Sequence, residues 1–218
     1  MIINIKITRA ENARFFNVKI NEIVQVELED YIATVVASEI GNSNLEACKA
    51  QAVAARTYAV ARGVLQGKVI SDSSSAAQAY RAERLSSKYD NAILGAQLTK
   101  GQVLYYKDKI ISAVYSDSNG GTTVSAEAQW GNTYPYLIAQ PDPWTAATGK
   151  EKHGHGVGMS QVGAIWAGAH GIDYKEILNF YYPNTKIQIL IERNKILKIR
   201  DTLQEIYDLV AQNIGNNS

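Results

Sequence analysis

The chain has 218 residues, 46% hydrophobic and 20% charged, with a net charge of +1, a globular composition without the basic excess of a nucleic-acid binder. Cys48 is the single cysteine, which excludes an intrachain disulfide and a cysteine-rich structural zinc. No apolar run reaches membrane-spanning length and the first residues lack a signal-peptide core, leaving a cytoplasmic protein, a piece of an exported one, or another export route all open.

In chain order, Ile2 to Ile7 and Phe15 to Ile20 alternate like strands, with "RAENA" as the turn between them. "VELEDYIATVVASEI" then places Leu28, Ile32, Val35, Val36 and Ile40 at helical spacing, and Gly41 ends that helix. Ser43 with Glu46 reads as a capping box for an Ala-rich helix from Leu45 to Ala61, its buried face made of Leu45, Cys48, Ala52, Ala55 and Ala59. "SDSSSAAQAY" is a small-residue loop followed by a short strand, and Ser87 caps a helix from Tyr89 to Leu98. "QVLYYKDKIISAVYS" is a hairpin turning at "KDK". From Ser116 to Gln161 the chain is rich in Gly, Ser, Asn and Pro, and irregular segments of that length inside a domain are usually functional. A helix follows over Gln161 to Ala169, another capped by Asp173 and Glu176 and ending before Pro183, then the strand "KIQILIE". An amphipathic helix is expected over Asp201 to Ile214. The expectation is an α+β fold of mixed helices and antiparallel strands around a substrate cleft, with residues 1–199 as one domain and 200–218 as a peripheral helix.

Glu39 sits among Val35, Val36 and Ile40, and a carboxyl held among apolar groups keeps its proton near neutrality, as a general acid must. The alternative is a surface carboxylate paired with Lys49 or Arg56, which lie seven residues apart on one helical stripe. In "KHGHGVGMSQ", His153 and His155 can chelate a metal, but no third ligand of matching type lies nearby; glycines there equally let backbone approach a substrate or make a tight turn. Ser116, Ser118 and Asn119 with two glycines suit a sugar or peptide ligand, or a plain turn. A Ser-His-Asp triad with His155 and Asp173 lacks any G-x-S-x-G context. Trp130 and Trp144 can stack on sugar rings or serve the core, and Cys48 reads as a small buried hydrophobe.

The ordered segments "LEDYIATVVASEI", "LEACKAQAVAARTYA", "YSDSNGG", "PYL", "DPW", "GHGVGMSQVGA" and "ILNFYYPNTKI" resemble the stage II sporulation protein D family, also called SpoIID/LytB, from about Val24 to Ile187. The resemblance implies a peptidoglycan lytic transglycosylase working outside the cytoplasm at the cell wall. Its substrate would be peptide-free glycan strands, cut to 1,6-anhydro-N-acetylmuramic acid ends with Glu39 as the catalytic acid. It further implies a non-catalytic alternative, a wall-binding module that stimulates a cell-wall amidase, and no cofactor. Lys49, Gln51, Arg56, Ser116, Gly120, His155, Gly156 and Gln161 belong to the family pattern, and with Asn119 they are the expected substrate-binding residues. Some relatives bind zinc through Cys and His in the segment that here reads "SDSSSAAQAY", which has neither, so no metal is expected. "QPDPWTAATGKEKHGHG" also lacks a longer insertion common among relatives.

Overall fold

The computed structural model describes residues 1–190, 202–204 and 206–207. It divides into two units, Met1–Gln188 and Ile189–Ser218. The helix expected over 201–214 lies, apart from those five positions, outside the described residues. The described strands are β1 (Ile2–Lys6), β2 (Ile23–Glu27), β3 (Ile70–Ser71), β4 (Gln102–Tyr106), β5 (Lys109–Ile110), β6 (Tyr115–Ser116), β7 (Met159–Ser160) and β8 (Lys186–Ile189). The helices of the first unit are α1 (Ala10–Phe16), α2 (Leu28–Ile40), α3 (Leu45–Arg62), α4 (Asp90–Leu98), α5 (Ala126–Trp130), α6 (Pro143–Thr148), α7 (Gln161–Ala169) and α8 (Tyr174–Tyr181). The fold is α+β.

Three small sheets organise the strands. β1 runs antiparallel to β2, from Ile2 opposite Glu27 to Lys6 opposite Ile23, and parallel to β3. β4 and β5 form the expected hairpin, with Lys107 in the left-handed region at the turn. β6 and β7 pair in parallel, Tyr115 with Met159 and Ser116 with Ser160. Parallel pairs need long connections, and this one ties the chain before the Gly-rich region to the chain after it.

α3 is the centre of the unit. Its alanines let neighbours approach closely, so α2, α4, α7, α8 and β4 all pack on it. The expected single buried face is therefore a burial on nearly every side: Ala47, Cys48, Ala50, Ala52, Val53, Ala54, Ala55, Ala59 and Val60 are all enclosed. Gly168 of α7 lies so near the start of α3 that a Cβ there would meet Asn44 Oδ1 at 2.1 Å. The main apolar cluster joins Val53 and Ala54 to Leu104, Ile111, Met159, Ile177, Leu178 and Tyr182. Each such large aliphatic side chain contributes about 1.5–3 kcal/mol on burial.

Ser87 does not cap α4, whose N-cap is Tyr89, and no strand directly follows "SDSSSAAQAY"; two further local expectations also differ from the structure. Phe15 to Ile20 is not a strand: "RAENA" begins α1, which ends at Asn17 in the left-handed conformation, and the strand partner of β1 is β2. Asn12 explains the difference. Its buried amide donates to Asp72 Oδ2 and Tyr80 O, both at 2.8 Å, and accepts from Ala82 N at 2.9 Å. These long-range partners hold the segment helical. The second difference is the cap of α3, which is Asn44, whose Oδ1 accepts from Ala47 N at 3.0 Å. Ser43 Oγ instead donates to Ile40 O, closing the preceding helix.

Candidate functional site

Glu39 stands in the last turn of α2, and four segments meet at its carboxyl. Oε1 accepts from the backbone N–H of Ala79 at 2.6 Å, and Oε2 accepts from Gln161 Nε2 at 3.1 Å. The Tyr115 hydroxyl supplies a further hydrogen bond. Burial raises the Glu39 pKa above the ordinary carboxylate range, and the Ala79, Gln161 and Tyr115 hydrogen bonds pull part of the way back.

The local folds that deliver these groups are legible one by one. Ser160 caps α7 by accepting from Gly163 N, so Gln161 is the first residue of that helix and points across to α2. The β6–β7 pairing brings Tyr115 alongside. Gly158, just before β7, has φ of +70°, and a Cβ there would meet Val114 O at 2.1 Å; only glycine permits this close approach of the two segments. Tyr31 donates its hydroxyl proton to Gln78 Oε1 at 3.0 Å, while Gln78 Nε2 donates to Ala55 O at 3.2 Å and to the Tyr115 hydroxyl at 2.8 Å. With its oxygen accepting from Gln78, Tyr115 has its own proton free for Glu39.

The loop carrying Ala79 is fastened at both ends. Asp72 N donates to Lys6 O and Tyr80 N donates to Asp72 O. The Asp72 carboxylate accepts from Thr8 N at 2.9 Å, Arg9 N at 3.1 Å, Asn12 Nδ2 at 2.8 Å and the Thr8 hydroxyl. Those donors hold its pKa below the ordinary value against the opposing effect of burial. The loop's polar groups are hydroxyls, amides and one fully engaged carboxylate.

Glu39 opens onto a cleft of about 730 Å³ whose lining includes Tyr58, Gln78, Tyr115, Ser116, His155 and Gln161. Of the residues singled out in the sequence, Glu39, Ser116, His155 and Gln161 therefore share this cleft. Ser116 Oγ accepts from Gly156 N at 3.1 Å, so Gly156 serves the wall through its backbone. His155 Nδ1 accepts from Val157 N at 3.0 Å, its ring meets Trp130 edge-on at 5.1 Å, and burial lowers its pKa. Asn119 is buried behind the wall, donating to Asp142 Oδ2 at 2.7 Å, and Gly120 is the adjoining turn residue with φ of +71°. His153 lines the cleft with Nδ1 at 2.8 Å from Asp117 Oδ2. Among the described residues no three of His, Cys, Asp and Glu converge as metal ligands would.

Lys49, Gln51 and Arg56 do not line the cleft. Lys49 pairs with Glu46 at 2.6 Å. Arg56 is 0% exposed; its Nη2 donates to Glu29 Oε2 at 2.6 Å and to Ala96 O at 3.1 Å, and Nη1 reaches Gln102 O at 3.3 Å. These contacts join α3 to α2, α4 and β4, and Arg56 lies outside the cleft lining. Neither cation salt-bridges Glu39. Gln51 is buried on α3 without a hydrogen-bond partner among the described residues. Residue reasoning missed Gln78, Tyr115 and the Ala79 amide. The signals were a lone glutamine among alanines in "SDSSSAAQAY" and the tyrosine directly before Ser116.

Comparison with known proteins finds similarity over part of the chain. Residues 17–106 match the SpoIID model, described as stage II sporulation protein, a span that holds Glu39 and Ala79. The chain is 38% identical over 115 residues to the amidase enhancer of Bacillus subtilis (strain 168), covering 50% of this chain and 15% of that protein. It is 32% identical over 144 residues to stage II sporulation protein D of Bacillus amyloliquefaciens, covering 57% of this chain and 41% of the relative. The corresponding Bacillus subtilis protein is 31% identical over 146 residues, covering 60% and 43%. Over these spans the chain is similar to the stage II sporulation protein D family. It spans less than half the length of each of these three relatives.

Proposed function

We propose that the protein is a lytic transglycosylase that cuts peptide-free peptidoglycan glycan strands, outside the cytoplasm, leaving 1,6-anhydro-N-acetylmuramic acid ends. The observation that carries this reading is the enclosed Glu39 carboxyl at the cleft, its pKa raised by burial. In the first step Glu39 gives its proton to the glycosidic oxygen as the bond to the muramyl anomeric carbon breaks with oxocarbenium character. The new carboxylate is stabilised by the N–H of Ala79, the Gln161 amide and the Tyr115 hydroxyl. It then takes the proton of the muramyl C6 hydroxyl, whose oxygen attacks the anomeric carbon and closes the anhydro ring. The acid is restored and no water is consumed, so one carboxyl serves both steps.

Mass analysis of digested peptide-free strands tests this. The wild type should release anhydromuramyl ends, and Glu39→Gln should lower their formation about a thousand-fold. Reducing ends from the wild type would instead mean hydrolysis. A second reading draws support from the relative named amidase enhancer: the chain binds glycan strands and stimulates a cell-wall amidase without cutting. In that case both forms leave strands intact, and Glu39→Gln retains the stimulation.

A further inference from the structure

The cleft holds one cation that the proton-transfer scheme does not use. Among the described lining residues Arg62 is the single lysine or arginine. It ends α3, where the free carbonyls of a helix favour positive charge. Its side chain is exposed and makes no ion pair with a described carboxylate. The guanidinium lies 5.6 Å from the ring centroid of Tyr58, one turn back on the same helix and also part of the lining. A guanidinium resting on an aromatic face is held in plane while its N–H fork remains available, and that fork matches a carboxylate with two parallel hydrogen bonds.

The acidic groups of the cleft are otherwise engaged. Asp117 takes Lys150 Nζ at 2.8 Å and His153 Nδ1 at 2.8 Å, and burial disfavours the charged form of Glu39. Trp130 and Tyr134, 44% and 38% exposed in the lining, offer faces for uncharged sugar rings. A glycan strand without stem peptides is neutral except for the lactyl carboxylate on each muramyl residue. A stem peptide converts that carboxylate to an amide, removing the charge and adding bulk where the fork would close.

We infer that Arg62, braced by Tyr58, binds the free lactyl carboxylate of a muramyl residue in the cleft and thereby selects strands without stem peptides. This rests on the glycan-strand reading above.

Binding in a Glu39→Gln background, which holds strands without consuming them, tests the assignment. The probes are peptide-free strands and the same strands with their lactyl carboxylates converted to methylamides. The Glu39→Gln chain should bind the native strands about ten-fold more tightly than the neutralised ones. Adding Arg62→Gln should abolish that preference by weakening binding to the native strands alone, Arg62→Lys should restore part of it, and thermal unfolding should report all the variants folded. A preference that survives Arg62→Gln, or no preference in the Glu39→Gln parent, overturns the assignment. If the preference follows Arg62 while the wild type makes no anhydro ends, the cleavage reading fails and the recognition stands. Absence of binding to either strand overturns both.

Discussion

Glu39 is pulled two ways, by enclosure that favours its neutral form and by three donors that favour its charged one. The first effect is the larger, so the protonated acid persists above the ordinary carboxylate range. Ionising it in place costs the fold: its contribution to stability is complete below the unfolded pKa and disappears as pH rises through the folded value. Under the proposed mechanism the cleavage rate should fall with rising pH along that same titration. Replacing Gln161 with Leu removes a donor to the carboxylate and should move this alkaline limb upward; a pH–rate profile whose limb moves down would contradict the assignment. Arg56 belongs to a different ledger. Breaking its enclosed pair with Glu29 in Arg56→Ala should destabilise the protein by about 3 kcal/mol in urea titrations, while leaving the Glu39 limb where it was. The sequence made Glu39 conspicuous as a carboxyl among valines. It misled at Arg56 because helical spacing tells which residues stack, not whether that stripe meets solvent or another helix.

At the scale of elements, the loop from Asp72 to Tyr80 is held by hydrogen bonding. Thr8, Arg9 and Asn12 all converge on one carboxylate. Asp72 has a depressed pKa, so the stability it contributes is present above its unfolded pKa and is lost as pH falls through the folded value. Asp72→Ala should cost about 2–3 kcal/mol near neutrality, measured by denaturant unfolding, and the gap between wild type and variant should close in acid. A gap that persists unchanged in acid would mean that the carboxylate's charge is not what holds the loop. The sequence could not disclose this clamp, because Asn12 and Asp72 are sixty residues apart. For the same reason "RAENA" reads as a turn from its own residues and becomes helix in context. Elements whose signals are local fared better: α2 with its Gly41 stop, the β4–β5 turn at Lys107, and α8 with Asp173 accepting from Lys175 and Glu176 N–H groups.

Across the first unit, Asp142 ties the Gly-rich region together. Its carboxylate accepts from the N–H groups of Trp144 and Thr145, from Asn119 Nδ2, and from the hydroxyls of Thr145 and Tyr181. Asp142→Ala would leave several enclosed donors unanswered and should destabilise the fold by about 3 kcal/mol, with loss of near-UV circular dichroism at lower denaturant. Ser116, His155 and Gln161 line the cleft, and the family resemblance singles them out where their own residues leave turns or ligand contacts open. The α+β class could be read from the order of the elements. That α3 would be enclosed on nearly all sides could not, because alanine is as common on helix surfaces as beneath them. The groups gathered on Glu39 come from residues 79, 115 and 161, the last 122 positions along the chain. A growing polypeptide therefore carries its carboxyl well before all three donors that settle the emerging anion have been made. A fragment ending before Gln161 keeps the glutamate but lacks one of the donors that stabilise its charged form.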